Sequence, residues 1–514
     1  MSSARMSADE AWANPETRKL YVQLVIGLLF GTAFEFYDFA VYSQLGKYVG
    51  PNFFPAGNLY AEQLSFWAAY AVAFVVRPLG AILFGHCGDR HSRKTSLVYS
   101  LLLMAVPTTL MGCLPTFQHI SWAAPVLLIL LRLGQGLAIG GENGTALVYL
   151  YEIAPIKWRC SVVAFGWSGV PFGIFLGIAV VLILQEALSP AAMMLFGWRI
   201  AFLLGAATGV VGVLLRRRMP DPALFLQRKQ QIEEQLGVTD GRDIEGHSKD
   251  ADISTKSVAS TGSKDLTMRI EEPFPAAKDA SIDATCTGSA AGSLPAVHVT
   301  GGKKFFPVLQ MLRFYWLPVL LQWTWEFWFA AAFYCYTSYM PGFLATNVPG
   351  MSRGLALGST LVHLVGVMLV AWVTGFLCDK GMPRMVTSGI VFIVAGASLA
   401  PAAIGMRAGG VAAAWLLHLW FLLLVGVVGG LLAVSMCPLY PPEVRTTGMN
   451  FAHQMAVGPI GGITPVILAA IKTVNGDVFL TIVPWLGACA GVSLIATVAL
   501  YYMRPEANKD TKQA

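Results

Sequence analysis

The sequence predicts an all-α membrane protein whose twelve transmembrane helices form two similar six-helix halves. Composition is the first observation behind this prediction: 55% of the 514 residues are hydrophobic, 12% are charged, and the mean hydropathy is +0.61. A soluble domain carries about twice that share of charged residues. The other two observations are the spacing of the apolar stretches and a pair of polar loops that recur in both halves.

Six apolar stretches, each about as long as a membrane-spanning helix, precede a long polar segment, and six follow it. We number these predicted spans 1 to 12 in chain order: 20–43, 64–86, 96–116, 122–150, 161–187, 196–216, 312–344, 355–378, 385–406, 410–437, 447–471 and 478–503. The predicted domains are a tail, an N-terminal half, a linker, a C-terminal half and a second tail: 1–19, 20–218, 219–305, 306–503 and 504–514. The first tail lacks the layout of a signal peptide.

Orientation follows from the positive charges in the short loops, because Lys and Arg are concentrated on the cytoplasmic side of membrane proteins. One set of loops holds most of them: Arg18, Lys19, Arg90, Arg93, Lys94, Lys157, Arg159, Lys380, Arg384, Arg445 and Arg504. The opposite loops hold only scattered single charges. We therefore expect a multi-pass protein of the plasma or cytoplasmic membrane, with both termini and the linker in the cytoplasm.

The linker 219–305 is rich in Ser, Thr, Ala, Asp and Lys and poor in aromatic residues. Such a segment cannot bury enough apolar surface to fold alone. We interpret it as a flexible tether between the halves, with phosphorylation of its serines and threonines as the alternative.

The eight cysteines are scattered, without a CxxC pair, and most lie in apolar stretches. This distribution indicates small hydrophobic residues rather than disulfides or metal ligands. We expect no metal, no cofactor and no nucleic-acid partner; the expected partners are a small-molecule substrate, protons and the lipid bilayer.

Two polar loops recur in the same order in both halves. GHCGDRHSRK (85–94) follows span 2, and GFLCDKGMPR (375–384) follows span 8; YEIAPIKWR (151–159) follows span 4, and YPPEVR (440–445) follows span 10. Matching loops in matching places indicate a parallel repeat. This is the plan of alternating-access carriers, whose substrate site lies between the two halves.

The first of these loops resembles the signature between helices 2 and 3 of the major facilitator superfamily. Four further segments resemble its metabolite:proton symporter branch, which carries small osmolytes, carboxylates and other organic acids: EFYDF (35–39), RPLG (77–80), RLGQGLAIGGE (132–142) and GWRIAFLLG (197–205). The resemblance extends over nearly every span. It implies the major facilitator fold, no enzymatic activity, and proton-coupled symport of a small organic acid or zwitterionic metabolite by a protein that functions as a monomer.

The sequence departs from the family pattern at three positions. Phe36 replaces a tryptophan, which keeps an aromatic side chain, and Ser92 replaces a glycine, so the turn between spans 2 and 3 is expected to be strained or rebuilt. Pro383 takes the glycine position of the second loop, where Asp379 and Arg384 are the remaining charges.

The resemblance also implies that the loop 85–94 forms a cytoplasmic gate, in which an aspartate caps a neighbouring helix and pairs with arginine. Asp89, Arg93, Glu152 and Arg159 are the expected centre of this gate. Charge pairs of this kind bias which side of a carrier is open. The residues assigned to the gate are Gly85, Asp89, Arg90, Arg93, Lys94, Glu152, Arg159, Asp379, Arg384, Glu443 and Arg445.

Span 1 carries two carboxylates, Glu35 and Asp38, where contacts with hydrocarbon are expected. A charged side chain at the bilayer centre costs about 2.5–3.5 kcal/mol on insertion scales. One interpretation is a carboxylate held permanently by an arginine. The other, which we favour because intramembrane acids are usually functional, is a group that binds a proton or the substrate. The residues assigned to proton coupling are Glu35, Asp38, Arg132 and Glu142, with Glu142 expected close beside Arg132.

Polar groups in other spans are candidates for binding the substrate. Arg77 keeps its charge and therefore needs an anion, either a structural carboxylate or the substrate. Glu326 lies among aromatic residues that suit a cationic or zwitterionic ligand, with an interfacial aromatic belt as the alternative. His453 either titrates near neutral pH or is simply hydrogen-bonded. The residues assigned to substrate binding are Tyr42, Arg77, Gln135, Trp323, Glu326, Asn450, His453 and Gln454.

Two other functions compete with symport. An exchanger or uniporter has the same fold, but span 5 reads GVPFG (169–173) and not the antiporter signature GPxxGG, which GPIGG (458–462) in span 11 resembles only loosely. A membrane enzyme or nutrient sensor is disfavoured because the sequence has no P-loop, HExxH, GxSxG or CxxC pattern. The substrate itself is not predicted, because the side chains that select it converge from many helices.

Overall fold

The structure is a computed structural model that describes residues 12–55, 59–90, 92–216, 307–475 and 482–504. Within these ranges the chain is helical and forms no β-strand. Ten helical segments are long and apolar enough to cross a membrane, and they correspond to spans 1–5 and 8–12. The predicted all-α membrane architecture is confirmed. The predicted linker 219–305 lies outside the described residues.

The N-terminal half follows the predicted order, with spans 2 and 5 each divided into two helices. Its helices are Pro15–Gln44 (span 1), Leu59–Val75 and Arg77–Arg90 (span 2), Arg93–Cys113 (span 3), Ala123–Ile153 (span 4), Arg159–Trp167 and Gly169–Ala187 (span 5), and Trp198–Arg216 (span 6). Short helices lie between spans 1 and 2 and between spans 3 and 4: Gly46–Phe53 and Phe117–Ile120.

The described part of the C-terminal half contains four continuous spans and two that are interrupted. Spans 8, 9, 10 and 12 are Arg353–Asp379, Arg384–Ala408, Gly410–Met436 and Ile482–Met503. Span 11 consists of Arg445–Ala456 and Thr464–Asn475 joined by a π-helical turn, Val457–Gly462. Span 7 consists of Pro307–Phe314, Trp316–Trp325, Phe327–Tyr334 and Met340–Asn347, with a π-helical turn at Cys335–Tyr339.

The π-helical turns of spans 7 and 11 begin at a cavity that Tyr334 and Val457 line, and such turns often mark functional sites. A π-helical turn disturbs the regular backbone hydrogen bonding and needs other partners. In span 7 the carbonyl oxygen of Tyr336 accepts a hydrogen bond from Nε2 of His418, a buried side chain of span 10, at 2.8 Å. Span 10 therefore stabilises the irregular part of span 7.

Spans 2 and 4 cross at very short range because glycines line their contact. A Cβ atom built on Gly140 would lie 2.1 Å from the carbonyl oxygen of Arg77, and one on Gly136 would lie 2.1 Å from that of Ala73. Small residues allow helix backbones to approach this closely. The crossing places Arg77 of span 2 and Asn143 of span 4 on the wall of the same cavity.

The two halves meet along two equivalent pairs of helices, span 2 with span 11 and span 5 with span 8. A glycine permits each approach. A Cβ on Gly85 would lie 2.8 Å from Cα of Thr447, and a Cβ on Gly375 would lie 2.7 Å from the carbonyl oxygen of Cys160. Gly85 and Gly375 are the first residues of the two repeated loops, so the sequence repeat corresponds to a structural one.

Candidate functional site

The loops 85–94 and 375–384 lie at the same end of the helix bundle, which we call the gate end. There Asp89 accepts hydrogen bonds from the backbone N–H groups of Thr446 and Thr447, at 3.2 and 2.7 Å, and from the Thr447 hydroxyl at 2.5 Å. These N–H groups belong to the first turn of span 11, where they have no intrahelical acceptor. Asp89 of the N-terminal half therefore caps a helix of the C-terminal half.

Asp379 makes the same contact in the opposite direction. Its carboxylate accepts the backbone N–H groups of Cys160 and Ser161, each at 2.9 Å, and the Ser161 hydroxyl at 2.5 Å. Both residues lie in the first turn of span 5. The replacement of a glycine by Pro383 in this loop thus leaves the contact intact.

Ion pairs join the halves beside the first cap. Arg93 pairs with Asp89, and its Nη2 lies 3.4 Å from Oε1 of Glu152. Nη1 of Arg445, from the other half, lies 3.1 Å from the same Glu152 oxygen. The aspartate, both arginines and the glutamate are buried. In this structure the gate end is closed by paired charges and by the two helix caps.

The other predicted gate residues lie around this cluster with different contacts. Arg159 does not join the Asp89 group; its guanidinium lies 4.7 Å from the ring centre of Tyr151. Arg384 donates to the carbonyl oxygen of Val434 at 2.8 Å. Glu443 is buried, and Arg90 and Lys94 are partly exposed.

Of the two expectations for the turn at Ser92, a strained or a rebuilt backbone, the structure shows the second. Ser92 has an extended backbone with φ −167°, and its hydroxyl oxygen accepts the N–H of Thr95 at 3.1 Å. Serine is a favoured N-cap residue. Ser92, which replaces the glycine, is therefore the N-cap residue of span 3.

A cavity lies between the halves and is lined mainly by aromatic and aliphatic side chains with a few polar groups, as small-molecule sites generally are. Spans 1, 2, 4 and 5 supply one wall, and spans 7 and 11 supply the other. The lining residues are Phe36, Arg77, Ile139, Asn143, Trp167, Val170, Phe329, Ala330, Phe333, Tyr334, His453, Gln454 and Val457.

Arg77 is the cationic group of this cavity wall. Its side chain is 1% exposed, its guanidinium lies 4.0 Å from the ring centre of Phe74, and Nη1 donates to the Tyr334 hydroxyl at 3.1 Å. Nε and Nη2 have no hydrogen-bond partner among the residues that the structure describes. A buried guanidinium with free donors is suited to bind a carboxylate, which accepts two parallel hydrogen bonds from it.

Asp38 and Arg132 form a second buried group within the N-terminal half. Nε2 of Gln135 donates to Oδ2 of Asp38 at 2.7 Å, Nη1 of Arg132 donates to Oε1 of Gln135 at 2.9 Å, and Arg132 lies 3.7 Å from Asp38 Oδ2. The Arg132 guanidinium lies 3.3 Å from the ring centre of Tyr42. Four predicted residues are thus brought together, with Thr108 accepting a second hydrogen bond from Gln135 at 2.8 Å.

Glu326 and His453 form a third buried group, in the C-terminal half. Oε2 of Glu326 lies 2.5 Å from Nδ1 of His453, and Oε1 accepts from Nε2 of Gln322 at 2.8 Å. The other ring nitrogen of His453 lies 3.1 Å from Nδ2 of Asn143, in the opposite half. His453 lies on the cavity wall and Glu326 behind it, so the carboxylate orients the ring.

Glu142, Trp323 and Asn450 lie apart from these groups. Glu142 is ten residues beyond Arg132, about 15 Å along the helix, and it accepts a hydrogen bond from Ser100 at 3.4 Å; the expectation that it lies close beside Arg132 was wrong. Trp323 donates to the carbonyl oxygen of Met455 and is not part of the cavity wall. Asn450 donates to the carbonyl oxygen of Gly141. Glu35 is buried one turn before Asp38 and lies close enough to Tyr334, the partner of Arg77, to interact with it electrostatically.

The sequence analysis did not assign several residues that prove central. The Tyr334 hydroxyl accepts a hydrogen bond from Arg77, and Asn143 is hydrogen-bonded to His453. Trp167 and Phe36 form part of the cavity wall. Asn143 shares a helix face with Arg132 and Gln135 at a spacing near 3.6 residues, which was its only signal. For the aromatic residues no signal distinguishes cavity wall from core.

The fold and the site define a class: a membrane transporter of small molecules, with an interdomain cavity and a gate built from both halves. A family model described as "Sugar (and other) transporter" matches residues 24–269. The inner membrane metabolite transport protein YhjE of Escherichia coli is 28% identical, with 94% of each chain covered. The alpha-ketoglutarate permease of the same species is 27% identical, covering 92% of this chain and 93% of the permease.

Two further similarities are partial in length or confined to the fold. A putative proline/betaine transporter of Staphylococcus haemolyticus is 39% identical over 38% of this chain and 42% of its own. The proton:xylose symporter XylE superposes with a TM-score of 0.66 at 15% identity, covering 96% of this chain and 98% of XylE. XylE is a major facilitator superfamily protein, and the superposition shows that this chain has the same fold.

Proposed function

We propose that this protein is a proton-coupled symporter of a small organic acid or zwitterionic metabolite that works by alternating access. Arg77 is the observation that carries the proposal. Its buried guanidinium lines the interdomain cavity, and two of its nitrogens, Nε and Nη2, have no hydrogen-bond partner among the described residues. An anionic group on the substrate supplies the missing acceptor.

Proton coupling is assigned to Asp38, with Arg132 as its cation. Burial favours the neutral form of a carboxylate, whereas a nearby arginine favours the charged form, so a group subject to both effects can take up and release a proton. When Asp38 is neutral, Arg132 and Gln135 lose part of their interaction with it. In this scheme, proton release inside the cell restores the pair.

The gate end is assigned to the cytoplasm, because the loops that hold most of the short-loop Lys and Arg residues lie there. Opening requires the caps at Asp89 and Asp379 and the Glu152 ion pairs to break together. Substrate then leaves from the cavity toward the cytoplasm. Both termini lie on this side in the proposed topology.

The relatives favour this substrate class. One full-length relative is named for alpha-ketoglutarate, a dicarboxylate, and the partial relatives are named for proline and betaine, which are zwitterions. Each of these compounds carries a carboxylate for Arg77. The solved sugar symporters share only the fold at this level of identity.

The test is uptake into proteoliposomes of a labelled panel: betaine, proline, citrate, 2-oxoglutarate, shikimate and sugars. We expect one or more carboxylates to accumulate only when an inwardly directed proton gradient is imposed. A carboxylate that equilibrates without responding to the gradient indicates the alternative, a uniporter or exchanger. Uptake confined to neutral sugars contradicts the assignment of Arg77.

A further inference from the structure

We propose that the transported carboxylate also carries a hydrogen-bond donor, an O–H or N–H group, and thus is a hydroxy- or amino-carboxylate. The inference rests on the proposed function, because it takes Arg77 as the site of the carboxylate. It concerns the remainder of the substrate and two polar side chains that line the cavity, Asn143 of span 4 and Gln454 of span 11.

Two acceptor atoms of these side chains lack a hydrogen-bond donor among the described residues. Oδ1 of Asn143 and Oε1 of Gln454 are buried and lack a hydrogen-bond partner within the described ranges, and both side chains line the cavity. Asn143 is 4% exposed and Gln454 is 1% exposed. Buried polar atoms are nearly always hydrogen-bonded, so a group that enters the cavity is expected to satisfy them.

The orientation of the Asn143 amide follows from its neighbours. The Glu326 carboxylate can only accept, so Nδ1 of His453 carries the hydrogen that lies between them. The Asn143 atom that lies 3.1 Å from the other ring nitrogen, Nε2, is the amide nitrogen Nδ2, which can only donate, so Nε2 accepts. Oδ1 is therefore left as an acceptor.

The cavity consequently offers two kinds of hydrogen-bonding group. Arg77 offers donors to an anion, and Asn143 with Gln454 offers acceptors to a donor. A site built to hydrogen-bond a substrate group strongly rejects an analogue that lacks the group, because its own polar atoms stay unpaired. A keto group or a fully methylated ammonium group supplies no donor to these acceptors.

Two matched pairs of carboxylates test the effect of the O–H or N–H donor. The first pair is 2-hydroxyglutarate and 2-oxoglutarate, which differ by a hydroxyl against a keto oxygen. The second pair is dimethylglycine and betaine, which differ by an N–H against an N-methyl group. Uptake of each labelled compound is measured in proteoliposomes under the same proton gradient, and the pair that responds distinguishes O–H from N–H recognition.

We expect the donor-bearing member of at least one pair to have a transport efficiency at least tenfold above that of its partner, since a tenfold preference is well within what one unpaired buried group produces. Equal or better uptake of the partner in both pairs overturns the inference and leaves the proposed function standing. If no carboxylate in the pairs or the panel is transported, the proposed function fails and this inference fails with it.

Two variants connect the preference to the residues named. Asn143→Leu removes the acceptor and should bring the ratio within the responding pair close to one. Glu326→Gln keeps the shape of the side chain, but its amide can donate to Nδ1 of His453. The ring hydrogen can then lie on Nε2, and Asn143 can turn its Oδ1 toward it. The ratio within the responding pair should therefore fall in this variant too. The control is Asn347→Leu, the same change at an amide that donates to the Phe343 carbonyl, and it should leave the ratio unchanged. An unchanged ratio in both site variants, each verified as folded by size-exclusion chromatography, contradicts the assignment.

Discussion

Asp89 and Asp379 occupy equivalent positions in the two halves, and each caps the first turn of a helix in the half opposite its own. Each carboxylate accepts two backbone N–H groups and one hydroxyl, from Thr446 and Thr447 in one case and from Cys160 and Ser161 in the other. A negative charge at a helix N-terminus is favourable. Because both contacts cross between the halves, they exist only while the gate end is closed.

Asp89→Asn and Asp379→Asn should each weaken the closed gate. An asparagine amide keeps one acceptor oxygen, but its second oxygen is replaced by an NH₂ group. This group cannot accept the backbone N–H and hydroxyl hydrogen bonds that the carboxylate accepts. We expect transport to slow about tenfold, since hydrogen bonds to charged groups contribute about 1.5–3 kcal/mol, whereas substrate binding is retained because neither residue lines the cavity.

Cys160 reports the gate directly, because it is buried and its N–H is bound by Asp379. In a background in which the other seven of the eight cysteines are replaced, maleimide labelling of Cys160 should be faster in both variants. Glu186→Gln, a carboxyl-to-amide change at an exposed residue of span 5, is the control. Unchanged labelling together with unchanged transport removes the gate assignment.

The contacts at the gate end join residues that the family resemblance of two short repeated loops implied. Asp89, Arg93, Glu152 and Asp379 were all assigned in this way. For Arg159 the resemblance implied a place beside Asp89, but it does not show that the guanidinium packs on Tyr151.

The cavity was less predictable, because its residues come from six spans and meet only through tertiary packing. Asp38, Arg132 and Gln135 were assigned as polar groups within apolar spans, and the structure joins them. The sequence carries no information on how residues of different helices align along the membrane normal, which is why Trp323 was grouped with residues that it does not contact. Glu142 has a different reason, since its ten-residue separation from Arg132 in the same helix already places it about 15 Å away.

Gly140→Ala should impair both stability and substrate binding. The added Cβ would lie 2.1 Å from the carbonyl oxygen of Arg77, so spans 2 and 4 must move apart and the guanidinium must shift. We expect a lower melting temperature and at least a tenfold weaker apparent affinity for the transported carboxylate, in line with about 1–3 kcal/mol for overpacking a close contact.

Gly358→Ala is the matched control for this change. Gly358 also lies inside a transmembrane helix, but a Cβ there would meet nothing within 4 Å. Alanine in place of an unconstrained helical glycine stabilises by about 0.5–1 kcal/mol, so this variant should melt at the same or a higher temperature. Equal behaviour of the two variants would show that the short crossing is not required.

Arg77→Lys should lose most of the affinity for carboxylates although the charge is kept. Lysine cannot supply the planar pair of donors, and its ammonium group replaces a guanidinium that packs on Phe74 and donates to Tyr334. We expect KM for the transported acid to rise about tenfold to a hundredfold, with Tyr334→Phe giving a smaller increase because only one hydrogen bond is removed. A wild-type KM in Arg77→Lys would place the carboxylate elsewhere.

The coupling role of Asp38 can be separated from a structural role by comparing two modes of transport. Asp38→Asn keeps an acceptor for Gln135 and the approximate shape of the side chain but cannot exchange a proton, and it removes the charge 3.7 Å from Arg132. Accumulation against a concentration gradient needs net proton entry, whereas counterflow of labelled against unlabelled substrate does not. We therefore expect Asp38→Asn to abolish accumulation and to retain counterflow, both measured in the same vesicles.

Glu35→Gln decides which acid of span 1 carries the proton. Glu35 lies one turn from Asp38 and is equally buried, but Asp38 is the residue with contacts to Gln135 and Arg132. If coupling depends on Asp38 alone, Glu35→Gln retains a measurable accumulation ratio while Asp38→Asn has none. Loss of accumulation in both variants indicates that the two acids act together. If both accumulate substrate normally, the acids are structural, and the proton must use another buried carboxylate, with Glu326 beside His453 as the first to be tested.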